Sequence, residues 1–170
     1  VVKYDAEVSA AVAHWAPAYG IAIDPALVHA VIEAESSHGA KLESAEPGGR
    51  RSYGPMMVLD STATSVLGVA DPTTLKNPAT GIWYGVQYLG SLIRWAGGDI
   101  NRAVSAYNTG KGNAKLNAAG AYPNQAYVVR VLGYWNRFKR AVASAAPVAV
   151  PLLLILIGVV FVATRRRRAA

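Results

Sequence analysis

The sequence predicts an all-α domain of about six helices, followed by a single C-terminal transmembrane helix. Three observations predict it. Apolar residues recur at helical spacing through residues 1–140, between Asp or Asn residues placed as N-caps and glycines placed as stops. No segment alternates apolar and polar residues in the manner of a strand. From Ala141 to Thr164 there is no charged residue, and Arg165 to Arg168 close the run.

The helices follow in order. Asp5 to Ala18 carries Val8, Val12 and Trp15 on one stripe and stops at Tyr19-Gly20. It reads as an amphipathic helix, not as a signal peptide, because Lys3, Asp5 and Glu7 interrupt it. The first residue is not Met, so the chain reads as a processed product or a piece of a longer one. Asp24 caps a second helix with Pro25 at its first position, running to about His38 with Gly39 as its stop. Residues 39–55 are rich in Gly, Ser, Glu and Pro and read as a loop. Ser61 to Leu67 is a short helix. Asn77 to Ala96 is a long one, with Ile82, Val86, Leu89 and Ile93 as its buried stripe. Asp99 caps another through Ala106, and Gln125 to Ala143 forms the last. The expected units are a helical domain over 1–140 and an anchor over 141–170.

The anchor rests on length. Ala145 to Thr164 is 20 residues, about 30 Å as a helix, enough to cross a hydrocarbon core. The alternative, a buried core helix, fits the purity of the run and its four arginines less well. Those arginines predict a C-terminus on the cytoplasmic side and the domain outside the cytoplasm, or in a virion facing a membrane. They also suit anionic lipid or nucleic acid.

Charge is unevenly spread. Residues 1–99 hold 6 basic and 10 acidic side chains, and residues 100–170 hold 11 basic and no acidic ones. The formal net charge of +7 therefore owes much to the arginine tail, and no specific nucleic-acid partner is expected. The absence of Cys excludes a disulfide scaffold, a thiolate zinc site and a Cys nucleophile. His14, His29 and His38 have no spacing that closes a metal site, so no metal and no cofactor is expected. Every carboxylate side chain available for acid–base chemistry precedes residue 100.

One carboxylate stands out. With about 100° per residue and Val28 at zero, Glu35 falls at about 340°, within the stripe of Leu27, Val28, Val31 and Ile32. Glu33 falls at about 140°, on the polar side near His29. Glu33 is expected to be solvated; Glu35 points toward the core or a cleft edge. Desolvation raises a carboxyl pKa and readies it as a general acid. A structural ion pair with a buried Arg is the other reading.

Downstream segments favour chemistry. Glu35-Ser36-Ser37 ends the helix Leu-Val-His-Ala-Val-Ile. Ser52-Tyr53-Gly54-Pro55-Met56-Met57 follows, then Asn77 with Gly81 and Tyr88-Leu89. Ala103 to Gly110 reads Ala-Val-Ser-Ala-Tyr-Asn-Thr-Gly, and Tyr127 to Leu132 reads Tyr-Val-Val-Arg-Val-Leu. In order and spacing these resemble the soluble lytic transglycosylase (SLT) family, related in fold to goose-type lysozyme, over roughly residues 5–138. The resemblance implies a lysozyme-like domain acting on peptidoglycan glycan strands. It implies Glu35 as the single catalytic acid, Tyr127 as the tyrosine that hydrogen-bonds it, and Tyr107 and Asn108 as the pair lining the sugar cleft. Met56 matches the Met of the family's Gly-Leu-Met-Gln segment and, like Ser52, is expected at the substrate.

Two departures stand out. Met57 replaces the usual Gln, which helps to position the sugar or its acetamido group. The stretch between Ser37 and Ser52 is longer than the family's usual spacing. Packing roles stay open for Met56, Met57 and Tyr107, with core filling favoured for Met57, and Asn108 could belong only to a turn. His38, near Glu35 in sequence, is a further candidate to tune its pKa. The implied reaction cleaves the MurNAc–GlcNAc bond with formation of a 1,6-anhydro-MurNAc end; hydrolysis of that bond, or a degenerate glycan-binding or structural role, are alternatives. A bilayer is the expected partner of residues 145–164. A bacterial envelope enzyme and a phage protein that opens the wall as the genome passes both fit. The small size and C-terminal anchor favour the phage setting.

Overall fold

The computed structural model describes residues 2–145. Among these residues six α-helices follow in chain order: α1 (Asp5–Tyr19), α2 (Pro25–Ser36), α3 (Asp60–Ser65), α4 (Pro78–Trp95), α5 (Ile100–Thr109) and α6 (Gln125–Ala145). Short 3-10 helices lie at Pro47–Gly49 and Pro72–Lys76.

The caps sit where the side-chain chemistry places them. Asp24 Oδ1 accepts the Ala26 N–H at 2.8 Å, with Pro25 at the first helical position. Asp99 Oδ1 accepts the Arg102 N–H at 3.0 Å, and Asn77 caps α4 through the Thr80 N–H. Gly20 ends α1 in the left-handed conformation. The second helix stops at Ser36, earlier than expected, because Ser37 and His38 already adopt positive φ before Gly39 does.

The expectation of a purely α-helical domain is corrected. Residues 39–55 are not a plain loop. Strands β1 (Glu43–Ala45), β2 (Arg51–Tyr53) and β3 (Val58–Leu59) form an antiparallel sheet in the order β1-β2-β3. Glu43 pairs with Tyr53 and Ala45 with Arg51; Ser52 pairs with Leu59 across the other edge. Strands of two or three residues are too short to display alternation, so tertiary support decides them.

Helix α2 is the axis of the core. Leu27, Val28, Ala30, Val31 and Ile32 are fully buried. Its most extensive packing is against α6, while α1 lies on α4. The α4 stripe of Ile82, Val86, Leu89 and Ile93 is buried as its spacing predicts. Gly85 of α4 leaves room for Met56, whose Sδ would lie 2.4 Å from a Cβ at that position.

Both ends of the α2–α6 pair are pinned by side chains. At the start of α2, Asp24 Oδ2 accepts the Trp135 indole N–H at 2.7 Å. At its end, Glu35 meets Tyr127 near the start of α6. The helices therefore run antiparallel. This packing also overturns the expectation that the His29 side of α2 is solvated. His29 is buried, with Nε2 3.0 Å from Asp5 and its ring against Phe138 of α6. Burial lowers its pKa, as does His38, while Asp5 raises it.

Among the described residues no helix is long and apolar enough to cross a membrane. The expected span over residues 145–164, apart from Ala145, lies outside the described residues, as do Arg165 to Arg168. Helix α6 continues through Ala145, across the expected boundary at residue 140.

Candidate active site

Glu35 lies on the last turn of α2, where the core stripe of that helix emerges into a cleft of about 460 Å³. Residues from the sheet, from α5 and from the loop after it share the lining. The Glu35 carboxyl is raised from 4.5 to about 7, chiefly by burial. The Tyr127 hydrogen bond and the Arg130 charge oppose that rise, while the Glu46 charge adds to it. No cation reaches Glu35 within ion-pair distance among the described residues, so the structural ion-pair reading fails. A carboxyl with that environment is available as both proton donor and carboxylate near neutral pH.

Tyr127 donates its hydroxyl proton to Glu35 Oε1 at 2.5 Å. Burial, and then the nearby Glu35 charge, push the Tyr127 hydroxyl well above the usual tyrosine range, so it stays a donor. His38 does not reach Glu35. Its Nδ1 lies 3.1 Å from Glu33 Oε2, and Arg137 Nη2 lies 3.3 Å from Glu33 Oε1. The expectation that Glu33 is simply solvated is thereby corrected: it is half-buried and paired on both sides.

Ser36 explains why serine follows the acid. Its hydroxyl oxygen lies 2.7 Å from the Pro55 carbonyl and 2.9 Å from the Ile32 carbonyl, and accepts the Gly39 N–H at 2.8 Å. It thus joins the end of α2 to the turn over residues 54–57. Tyr107 holds the same turn from the other side, donating its hydroxyl to the Met56 carbonyl at 2.8 Å. That bond gives Tyr107 a structural task beside its place in the cleft lining.

The two methionines exchange the roles expected of them. Met56, expected at the substrate, is fully buried and absent from the cleft lining. Met57, favoured as core filler, lines the cleft. The reason is local. Met57 adopts φ 45 and closes a turn through its N–H to the Gly54 carbonyl at 3.0 Å. The left-handed step directs its side chain away from the core side that Met56 occupies.

The other expected residues converge. Ser52, on the central strand, is 5% exposed and borders the cleft. Asn108 is exposed on the lining, and its Oδ1 accepts from Asn124 Nδ2 at 3.0 Å, while its own amide N–H groups donate to no partner among the described residues. Glu46 and Arg50 line the cleft too and were not singled out by sequence. Their signal was the extra length between Ser37 and Ser52.

Residues 14–128 match the family described as the transglycosylase SLT domain. The chain belongs to that family. A fold comparison agrees: the X-ray structure of an inactive mutant of the lytic transglycosylase Slt from Pseudomonas aeruginosa superposes with a TM-score of 0.62 at 20% identity. The match covers 84% of this chain and 25% of that one, so the chain spans about a quarter of that protein's length. The SLT fold is thus present here with a cleft and a half-buried acid on its lining.

Proposed function

We propose that the protein is a peptidoglycan lytic transglycosylase that cleaves the MurNAc–GlcNAc β-1,4 bond with Glu35 as its acid and then its base. One observation carries the reading: the Glu35 carboxyl, raised to about 7 and held by Tyr127, lies at the cleft of an SLT domain.

The chemistry follows from one carboxyl. Many glycosidases use two, one as acid and one as base or nucleophile. Here protonated Glu35 donates to the glycosidic oxygen as the C1–O bond breaks. The carbonyl oxygen of the MurNAc 2-acetamido group stabilises the positive charge at C1. Glu35, now a carboxylate, takes the proton of the C6 hydroxyl as that oxygen bonds to C1. The ring closes as 1,6-anhydro-MurNAc, Glu35 is protonated again, and no water is consumed. Tyr127 holds the carboxyl in one orientation through both steps. Asn108 offers amide donors to the sugar. Met57 offers no hydrogen bond where the family has Gln, so its contribution is apolar contact.

The setting we propose is a membrane one, with the catalytic domain outside the cytoplasm or facing a membrane in a phage particle. The support is the uncharged run over 145–164 and the arginines behind it. A chain ending at Ala145 should leave the membrane fraction; its persistence there would contradict the anchor.

Digestion of purified peptidoglycan, followed by mass spectrometry of the fragments, tests the reaction. Anhydro ends that vanish in Glu35→Gln are the expected result. Reducing MurNAc ends would show hydrolysis instead. Absence of fragments with glycan binding retained would overturn the enzymatic reading.

A further inference from the structure

The β1–β2 hairpin brings two opposite charges to the cleft. Glu46 and Arg50 flank the 3-10 turn Pro47–Gly49 and are joined through their backbones, with the Glu46 N–H donating to the Arg50 carbonyl at 2.9 Å. Both line the same cleft as Glu35.

Their side chains do not neutralise each other. Among the described residues neither takes part in an ion pair, the Glu46 carboxylate accepts no hydrogen bond, and the Nη groups of Arg50 donate none. The Arg50 guanidinium is nevertheless oriented, because its Nε donates to the Pro47 carbonyl at 3.2 Å. The neighbouring hairpin charges behave differently: Arg51 pairs with Glu43, and Lys76 reaches Glu43 at 3.2 Å. Among the described residues Arg50 is the one basic residue on the lining. An oriented guanidinium with free Nη groups matches a carboxylate in a forked geometry, and an unpaired carboxylate nearby matches an ammonium.

A bare glycan chain of alternating GlcNAc and MurNAc has no ammonium for Glu46. Its peptide substituents have both charges. We infer that the hairpin tip is a recognition element for the peptide borne by MurNAc, with Arg50 taking a carboxylate and Glu46 an ammonium of that peptide. The inference rests on the proposed peptidoglycan cleft.

Binding tests it without turnover. The full chain carrying Glu35→Gln is titrated calorimetrically with a peptide-bearing GlcNAc–MurNAc disaccharide and with the same disaccharide stripped of its peptide. The peptide-bearing form should bind about ten-fold tighter or more, as for paired charges in a partly desolvated site. Adding Arg50→Ala or Glu46→Gln should each narrow that ratio, and Arg50→Lys should restore part of it. Equal affinity for the two ligands, or a parallel loss of both in Arg50→Ala, would overturn the inference and leave the proposed reaction standing. Failure of both ligands to bind would overturn the glycan cleft itself.

Discussion

Glu33 and Glu35 stand two residues apart on α2 and meet opposite surroundings. Glu33 faces α6 and is met by His38 at 3.1 Å and Arg137 at 3.3 Å. Glu35 faces the cleft and is met by a phenol at 2.5 Å. Burial beside a neutral donor leaves the desolvation cost of the Glu35 carboxylate largely uncompensated. One side of the helix therefore carries a structural pair and the other a proton carrier, and the side chains supplied by α6 make the difference.

The largest expected contrast is catalytic. Glu35→Gln should lower peptidoglycan cleavage by about a thousand-fold, the scale of a positioned general acid. Glu33→Gln should stay within about three-fold, since that residue lies off the cleft. Comparable losses in the two variants would erase the distinction.

Stability should separate them next. The folded pKa of Glu35 lies above its ordinary 4.5, at about 7. Below pH 4.5 the group is protonated in both folded and unfolded chains. Between pH 4.5 and 7 the unfolded chain ionises while the folded chain holds its proton, so stability is lost across that window and the full cost is reached above 7. Glu35→Gln should therefore stabilise the domain by about 2–3 kcal/mol at pH 8 and by little at pH 4, measured by urea unfolding. Glu33→Gln should instead cost less than about 1 kcal/mol at pH 8, as exposed or half-exposed pairs do.

Tyr127→Phe sharpens the Glu35 side. The lost hydrogen bond lowered the carboxyl pKa, so the basic limb of the rate–pH profile should move to higher pH. The rate at its optimum should fall about ten-fold, the scale of one hydrogen bond to a charged group. The smallest effect is expected from Glu46→Gln. Removing that charge should move the same limb slightly to lower pH.

Much of this was legible in sequence for a physical reason. Caps are local chemistry, so Asp24, Asn77 and Asp99 announced their helices. The apolar stripe of α2 announced Glu35, because a carboxyl amid core residues needs an explanation. His29 was misjudged because burial depends on what packs over a face: α6 covers it from more than a hundred residues away, and Asp5 of α1 reaches its ring. Met56 and Met57 were exchanged because one positive φ reverses side-chain direction, and no residue type at that turn signals it. The hairpin escaped because three-residue strands depend on the sheet they join.

The central claim is that the half-buried Glu35 at the cleft holds its proton near neutral pH. A carbon-13 NMR titration of the glutamate carboxyls in the full chain reads this directly, with the Glu35 signal assigned by its loss in Glu35→Gln. A midpoint near 7 is the expected result. A midpoint near the ordinary 4.5 would contradict the account.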